Sequence, residues 1–447
     1  MRRSLHLVFS NVKSLLIFAA LPLLAADPNT LARDILRELV EINTTDSVGD
    51  NTKAAEAVAA RLKTAGYPDS DIQILGAPRK GNLVARLHGT GSGKPILFLA
   101  HLDVVEARRE DWSFDPFIFR EQDGYLYGRG TEDNKAGDAT LVANFIRLKQ
   151  EGFRPSRDFI LALTSDEEGG SHNGVEWLLA NHRPLIDAEY CLNTDVGGGV
   201  LRQGKPVLHG IQASEKLFFT VRLEVKSPGG HSSVPEADNA IYRLAQTLDR
   251  LSKFQFPIHP NEVTRAYFER MLNVKLNAAS APALAAKSPF YNALLRTTCV
   301  ATMLEAGHAE NALPQMARAT VNCRILPGET TAETEATLRK VISDDRVSIT
   351  PVTQHADSPA SPLRPDLMDA LETLTNQMWP GVPVVPSMST GASDSRQLRT
   401  AGIPAYGVSA LFEDEDENRA HGRDERVPVK SFYDAVEFYY RLMKRLN

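Results

Sequence analysis

The sequence predicts an α/β fold: a sheet domain flanked by helices, with a smaller ferredoxin-like α+β domain inserted into it. Three observations carry that expectation. Short apolar runs without helical caps, Ile96–Ala100, Phe159–Leu163 and Tyr190–Asn193, read as strands of a sheet covered on both faces. Between them lie segments with 3.6-residue apolar spacing, the alternation of a layered α/β domain. From about Leu217 the pattern changes. Strand Leu217–Val225, helix Ala240–Leu251, strands Thr298–Leu304 and Ala317–Ile325 meeting at a Pro-containing hairpin, helix Ala332–Ile342 and strand Val347–Val352 follow the β-α-β-β-α-β order of a ferredoxin-like module. The boundaries drawn from these patterns are a leader over 1–26, a first part of the sheet domain over 27–214, the insert over 215–355 and a second part over 356–447.

A chain of 447 residues is too long for one compact core, which agrees with two domains. Its 43% hydrophobic and 24% charged residues are those of a globular protein. A formal net charge of −6 leaves no basic footprint, so nucleic acid is excluded as an expected partner. At the amino end Arg2, Arg3 and Lys13 precede the apolar run Leu15–Leu24, and Ala25-Ala26 places small residues before Asp27. This is the layout of a signal peptide cleaved near Ala26, too short to span a bilayer comfortably, and it predicts a periplasmic or secreted protein. The cysteines, Cys191, Cys299 and Cys323, are too few for a disulfide scaffold or a four-thiolate metal site. Cys299 and Cys323 lie equally far from Asn311 on two strand-like runs, which permits a cross-strand bridge; buried free thiols are the commoner arrangement.

Taken in order, Leu31–Ile42 (Ile35, Leu36, Leu39, Val40) and Lys53–Ala65 (Val58, Leu62) read as surface helices, the second stopped by Gly66. Strands Asn82–Leu87 and Ile96–Ala100 follow, then a loop over Trp112–Gln122. The Gly-rich turn Gly128–Gly137 opens a helix with Leu141, Val142, Phe145, Ile146 and Leu148 on one side, ended by Gly152. Within the insert, Phe256–Tyr291 reads as a helical elaboration. Beyond it come helix Pro365–Met378, strands near Val382–Met388 and Pro404–Ser409, and the terminal helix Ser431–Leu446.

The chemistry collects where strands end. PILFLAHLD (Pro95–Asp103) is an apolar run that stops in a histidine and an aspartate, so His101 and Asp103 fall at a carboxyl strand end, where open α/β sheets keep their sites. Period-2 geometry turns both to one side, so Asp103 can steady the imidazole. Taken alone, such a pair is an ordinary polar contact, and Asp133 alone is a helix N-cap. Phe159–Leu163 runs into Asp166-Glu167-Glu168, three adjacent acids that are costly at a buried strand end unless something positive holds them. The next strand again ends in an acid, Asp195. His101, Asp133, Glu168, Asp195 and His421, with Glu167 beside them, make a donor set suited to two divalent ions bridged by one carboxylate.

On His101-x-Asp103, GRGTEDNK around Asp133, Asp166-Glu167-Glu168-Gly169-Gly170, Asp195, and His421-Gly422 with Glu425, the chain resembles metallopeptidase family 20, the family of glutamate carboxypeptidase, aminoacylases and dipeptidases. The resemblance covers Leu31–Asn447, and the run Ser288–Pro314 is most similar to the carboxypeptidase S and secreted N-acyl amino acid hydrolase branch. It implies a zinc-peptidase-type sheet domain whose insert serves as lid and dimerisation domain. It implies two divalent ions, zinc with cobalt or manganese as alternatives: one held by His101, Asp133 and Asp195, the other by Asp133, Glu168 and His421. Glu167 would be the general base, Asp103 a catalytic support for His101, and His231 in SPGGHSSVP the oxyanion-stabilising histidine, which in dimeric members reaches the partner's site. Substrate contacts would come from Asn311, Arg324 and the turn with Gly391, Ser393 and Asp394; Arg324 is a planar fork suited to a carboxylate. Asp424 and Asn322 depart from the family pattern, at positions where Asn and an acid are frequent.

The activity so implied is hydrolysis of the amide bond in dipeptides, short peptides or N-acyl amino acids with a free carboxylate. A secreted aminopeptidase is the same-class alternative and would need an acidic anchor for the substrate amine. A binding protein that keeps the fold without the chemistry is the alternative from another class, disfavoured by the intact Glu167 and the full donor set.

Overall fold

The computed structural model describes residues 27–352 and 357–447. The expected leader and the 355/356 boundary lie outside the described residues. The main domain is built on a ten-stranded sheet. At its centre Arg157–Thr164, Gly93–His101, Tyr190–Asn193 and Ala405–Gly407 are parallel neighbours, so their carboxyl ends share one edge. The register sets His101 beside Thr164 and Leu99 beside Asn193. Residues that follow these strands by a few positions are therefore brought together by the pairing itself, although they are far apart in sequence.

Helices close both faces of this sheet. Pro28–Glu41 starts on Asp27, whose carboxylate accepts from Thr30 N, and Asn51–Thr64 starts on Asp50, which accepts from Thr52 N and Lys53 N. Helix Lys135–Gln150 differs from its amphipathic reading, because every residue from Lys135 to Ile146 is buried. Its polar side chains face protein: Lys135 Nζ donates to the carbonyls of Leu39 and Ile42, and Asn144 Nδ2 to those of Thr140 and Val436. The expected loop Trp112–Gln122 contains strand Arg120–Gln122, which pairs with Tyr125–Tyr127 in a three-stranded sheet with Arg426–Pro428. Helix Gly174–Ile186 and the long strand Lys205–Glu215 have no counterpart among the expected elements.

The insert has a four-stranded antiparallel sheet in the order Thr298–Ala306, Met316–Ile325, Leu217–Lys226, Val347–Pro351. Helices Ala240–Lys253 and Thr331–Ile342 cover it, the second opened by a capping box between Thr330 and Glu333. Cys299 and Cys323 lie directly opposite one another and are disulfide-bonded, against the expectation of free thiols. The register decides the matter, since opposed residues of antiparallel strands bring their Cβ atoms within reach of a bridge. The elaboration forms three helices, Glu262–Leu272, Ser280–Lys287 and Pro289–Leu295. Their apolar residues Val263, Phe268, Leu284 and Leu294 join the core of the main domain rather than that of the insert.

Candidate metal centre and catalytic cleft

Because the central strands run parallel, the segments leaving them meet at one edge, and the Gly-rich turn and the His421 loop close over that edge. Asp133 sits in the middle. Its Oδ1 lies 3.0 Å from His101 Nε2 and its Oδ2 3.2 Å from His421 Nε2, so one carboxylate faces both histidines with different oxygens. His101 Nε2 is also 3.5 Å from Asp195 Oδ1, and His421 Nε2 is 2.9 Å from Glu168 Oε2. The N-cap of the following helix is Asn134 rather than Asp133. Donor atoms of His101, Glu167 and Asp195, and of His101, Asp133 and Glu168, lie within 4.8 Å of one another. Glu167 thus stands against the His101–Asp195 side of the centre.

Asp103 supports both sides of this arrangement. His101 Nδ1 is 3.1 Å from the Asp103 carbonyl and 3.6 Å from its carboxylate. The carboxylate itself accepts from Glu167 N (3.1 Å) and Glu168 N (2.9 Å), so it caps the acidic turn as well as flanking the imidazole. Lys80 ties the same turn from behind, donating to Asp166 at 2.5 Å and to Asp46 at 2.6 Å. Glu425 does for the Gly-rich turn what Asp103 does for the acidic one. Fully buried, it accepts from Gly130 N, Glu132 N, Asp133 N and Arg129 Nη1.

The electrostatics ask for positive charge. Burial and the Asp195 charge push the Glu167 carboxyl well above the ordinary range. Hydrogen bonds to Asp133 and then to Glu168 push the His421 imidazole up to about 10. Burial opposes a charge on His101, but Asp103, Asp133 and Asp195 outweigh it and hold the imidazole well above its usual range. Two imidazoles among so many carboxylates match a site made to hold divalent cations, and the His/Asp/Glu donor set suits zinc-class ions. The residues present therefore fit two such ions.

A cleft of about 280 Å³ opens over Asp133, Glu167, Glu168, Asp195 and His421. Its wall includes Glu132 and Glu413, which the sequence did not single out; Glu413 directly follows the apolar residues Ala410–Phe412, a signal of the kind that marked Glu168 and Asp195. Gly197–Gly199 expose backbone to the same space.

The other candidates lie elsewhere. His231 is exposed on a two-residue strand paired with Ala312–Leu313, its Nδ1 accepting from Ser233 Oγ at 2.7 Å. Asn311 is exposed beside it, its carbonyl accepting from Ser232 N. Neither lines the cleft. Arg324 is half-buried over the Phe218 ring and donates to Thr390 O at 3.2 Å, next to the turn that contributes Ala392 to the cleft wall. Gly391 is exposed, whereas Ser393 and Asp394 are buried with their polar atoms turned into the protein. Asp424 accepts from Ser113 N and Oγ, and Asn322 donates to Thr220, so both departures from the family pattern serve internal contacts.

Comparison with known proteins places this site in a family. The chain is 30% identical over 368 residues to the N-fatty-acyl-amino acid synthase/hydrolase PM20D1 of Xenopus tropicalis, covering 78% of this chain and 72% of the relative. It is likewise 30% identical over 380 residues to "Probable carboxypeptidase S-like 2" of Dictyostelium discoideum, covering 78% and 71%. Its fold matches that of an M20 family metallo-carboxypeptidase from Sulfolobus solfataricus with a TM-score of 0.67 at 17% identity, covering 93% of this chain and 99% of the other. The profile of peptidase family M20/M25/M40 matches residues 97–445, and the chain belongs to that family.

Proposed function

We propose that the protein is an exported two-metal amidohydrolase that releases an amino acid from a dipeptide, a short peptide or an N-acyl amino acid. The observation that carries this reading is Asp133, whose two oxygens face His101 and His421 separately. His101, Asp133 and Asp195 would hold one ion and Asp133, Glu168 and His421 the other, zinc being the natural choice for this donor set and cobalt or manganese the alternatives. When bound, such ions supply Lewis-acid polarisation of the amide carbonyl and activation of water. Glu167, standing against His101 and Asp195, takes the proton of the attacking water and returns it to the leaving nitrogen as the C–N bond breaks. Asp103 keeps that carboxylate in place through the backbone of the turn. Arg324, with donors left over after Thr390, is the anchor for the substrate's free carboxylate. A guanidinium beside the cleft wall favours carboxypeptidase-like action over aminopeptidase action.

His231 supplies the oxyanion donor from a second copy of the chain. Its exposure on a projecting ribbon, with Nδ1 engaged and Nε2 left to donate, supports delivery to a neighbouring site. The edge strand Thr298–Ala306 offers a surface for that dimer, with Val300, Met303 and Leu304 62%, 69% and 68% exposed. The Cys299–Cys323 bridge supports an oxidising compartment, in line with the leader. Purified mature protein, assayed against N-acyl amino acids, dipeptides and their amidated counterparts with parallel elemental analysis, tests the reading. About two zinc-class ions per chain and chelator-sensitive hydrolysis of carboxylate substrates are expected. A chain without stoichiometric metal, active regardless of chelator, would overturn it.

A further inference from the structure

The segment Ser393–Asp394–Ser395 is buried, and its three side chains reach three different supports of the centre. Asp394 Oδ2 accepts from Thr164 Oγ1 at 2.9 Å and its Oδ1 from Asn173 Nδ2 at 2.7 Å. Thr164 ends the strand that runs into Glu167 and Glu168, and Asn173 Nδ2 also donates to Asp166 O at 3.3 Å. One carboxylate therefore grips the acidic turn at its entry and at its exit. The turn needs such a grip, because Asp166 is held at φ +56°.

Ser395 acts on the neighbouring strand. Its Oγ accepts from Asn193 Nδ2 at 3.1 Å, and Asn193 Oδ1 accepts from Asp195 N at 3.0 Å. Ser393 anchors the segment from the far side, donating to Glu215 Oε2 at 2.9 Å. Glu215 in turn lies 3.2 Å from Arg399 in a pair closed to solvent.

We propose that Asp394 and Ser395 are positioning residues for the reaction: Asp394 sets the placement of the acidic turn, Glu167 and Glu168 together, through Thr164 and Asn173, and Ser395 sets that of Asp195 through Asn193. Neither touches substrate in this assignment. It rests on the reading of Glu167 as general base and Asp195 as a metal ligand. A purely structural segment would lower stability and damage every function together. A segment with two separate outlets damages the acidic turn and the Asp195 strand separately.

The test uses the mature protein carrying Asp394→Ala, Asp394→Asn or Ser395→Ala. Folding is checked by near-ultraviolet circular dichroism and melting. Each protein is stripped of metal, titrated calorimetrically with Zn²⁺ alone, then reconstituted and assayed. Asp394→Ala is expected to lower kcat about 100-fold, the cost of a misplaced catalytic group, with KM within about threefold of the parent and zinc affinity lowered only at the site that Glu168 completes. Asp394→Asn, which keeps an oxygen for Asn173 and can donate to Thr164, should recover most of that loss. Ser395→Ala should weaken zinc binding at one site about tenfold, the lower end for loss of a ligand's support. An Asp394→Ala enzyme with parental kcat overturns the first assignment, and parental zinc affinity in Ser395→Ala overturns the second. Equal losses of kcat, KM and zinc affinity in all variants overturn both. Should Asp394→Ala not fold, Thr164→Val, which removes only the hydroxyl, carries the same expectation. A parent that binds zinc but hydrolyses no amide defeats the proposed function, while the Ser395→Ala titration still decides its half of this assignment.

Discussion

The metal centre and the insert's ribbon carry functional residues under opposite regimes. His101, Asp133, Glu168 and Asp195 sit on or just after elements whose pairing leaves them nowhere else to be, and each is braced by a buried partner such as Asp103 or Glu425. His231 and Asn311 stand on an exposed two-residue pairing, with solvent on most sides. Sheet register can assemble a constellation within one chain. A projecting ribbon is assembled into a site only by where its domain, or a second chain, places it. Damage to the first region should therefore be absolute and local, and damage to the second rescuable in trans.

The strongest way to break this contrast is Glu167→Ala, expected to lower kcat by about 10⁴-fold while both ions stay bound, because proton transfer is lost and the ligand set is not. His421→Ala should reduce metal content as well, and metal analysis of the two variants side by side separates base from ligand. If Glu167→Ala turned over at near-parental rate, the assignment of the base would be wrong. Next in size, His231→Ala should lower kcat about 100- to 1,000-fold with metal unchanged, since an oxyanion donor acts mainly in the transition state. Mixing His231→Ala chains with Glu167→Ala chains should restore part of the activity if the histidine crosses between copies. No rescue from a monomeric protein would place both groups in one chain.

The contrast also has a stability side. The insert's own core is small, and its bridge closes a loop over a sequence separation of 24. A Cys299→Ser/Cys323→Ser protein should lose about 2–4 kcal/mol in the unfolding of the insert, read from urea curves with and without reductant. A parent whose curve ignores reductant would show that the bridge does not contribute. The smallest effect is expected at Arg324, where Arg324→Met should raise KM about 10- to 100-fold for substrates with a free carboxylate, the loss of a charge-assisted contact. Amidated substrates should be indifferent to the change, and an equal effect on both would remove the carboxylate role.

How far the sequence could be read follows the same division. The strands ending in His101, Glu168 and Asp195 were legible because acids and histidines directly after apolar runs violate the ordinary preference for polar groups in water. The helix after Asp133 was misjudged in its surroundings because Lys135, Asp138 and Asn144 look like a solvent face, and only long-range partners such as Leu39 and Val436 make them interior. Strand Lys205–Glu215 was hidden because its polar residues His209, Gln212 and Glu215 are buried, His209 against Thr375 and Gln212 against Glu215, which erases any alternation. The family resemblance implies substrate contact for Ser393 and Asp394; their polar atoms instead bond Thr164, Asn173 and Glu215, partners remote in sequence that no local pattern shows.

The helical elaboration changes what the insert can do mechanically. Because Val263, Phe268 and Leu294 belong to the main core, the chain leaves the insert after Phe256 and re-enters it only near Cys299, in addition to the joint at Lys216 and the return after Ile349. The joint itself is pinned, with Lys216 Nζ donating to the carbonyls of Ala293 and Arg296 at the end of the elaboration. A domain hung on two neighbouring strings can swing through a wide arc. One tethered again through its middle can only rock about a short axis, so any displacement of Arg324 from its contact with Thr390 is confined to a small, stiff motion.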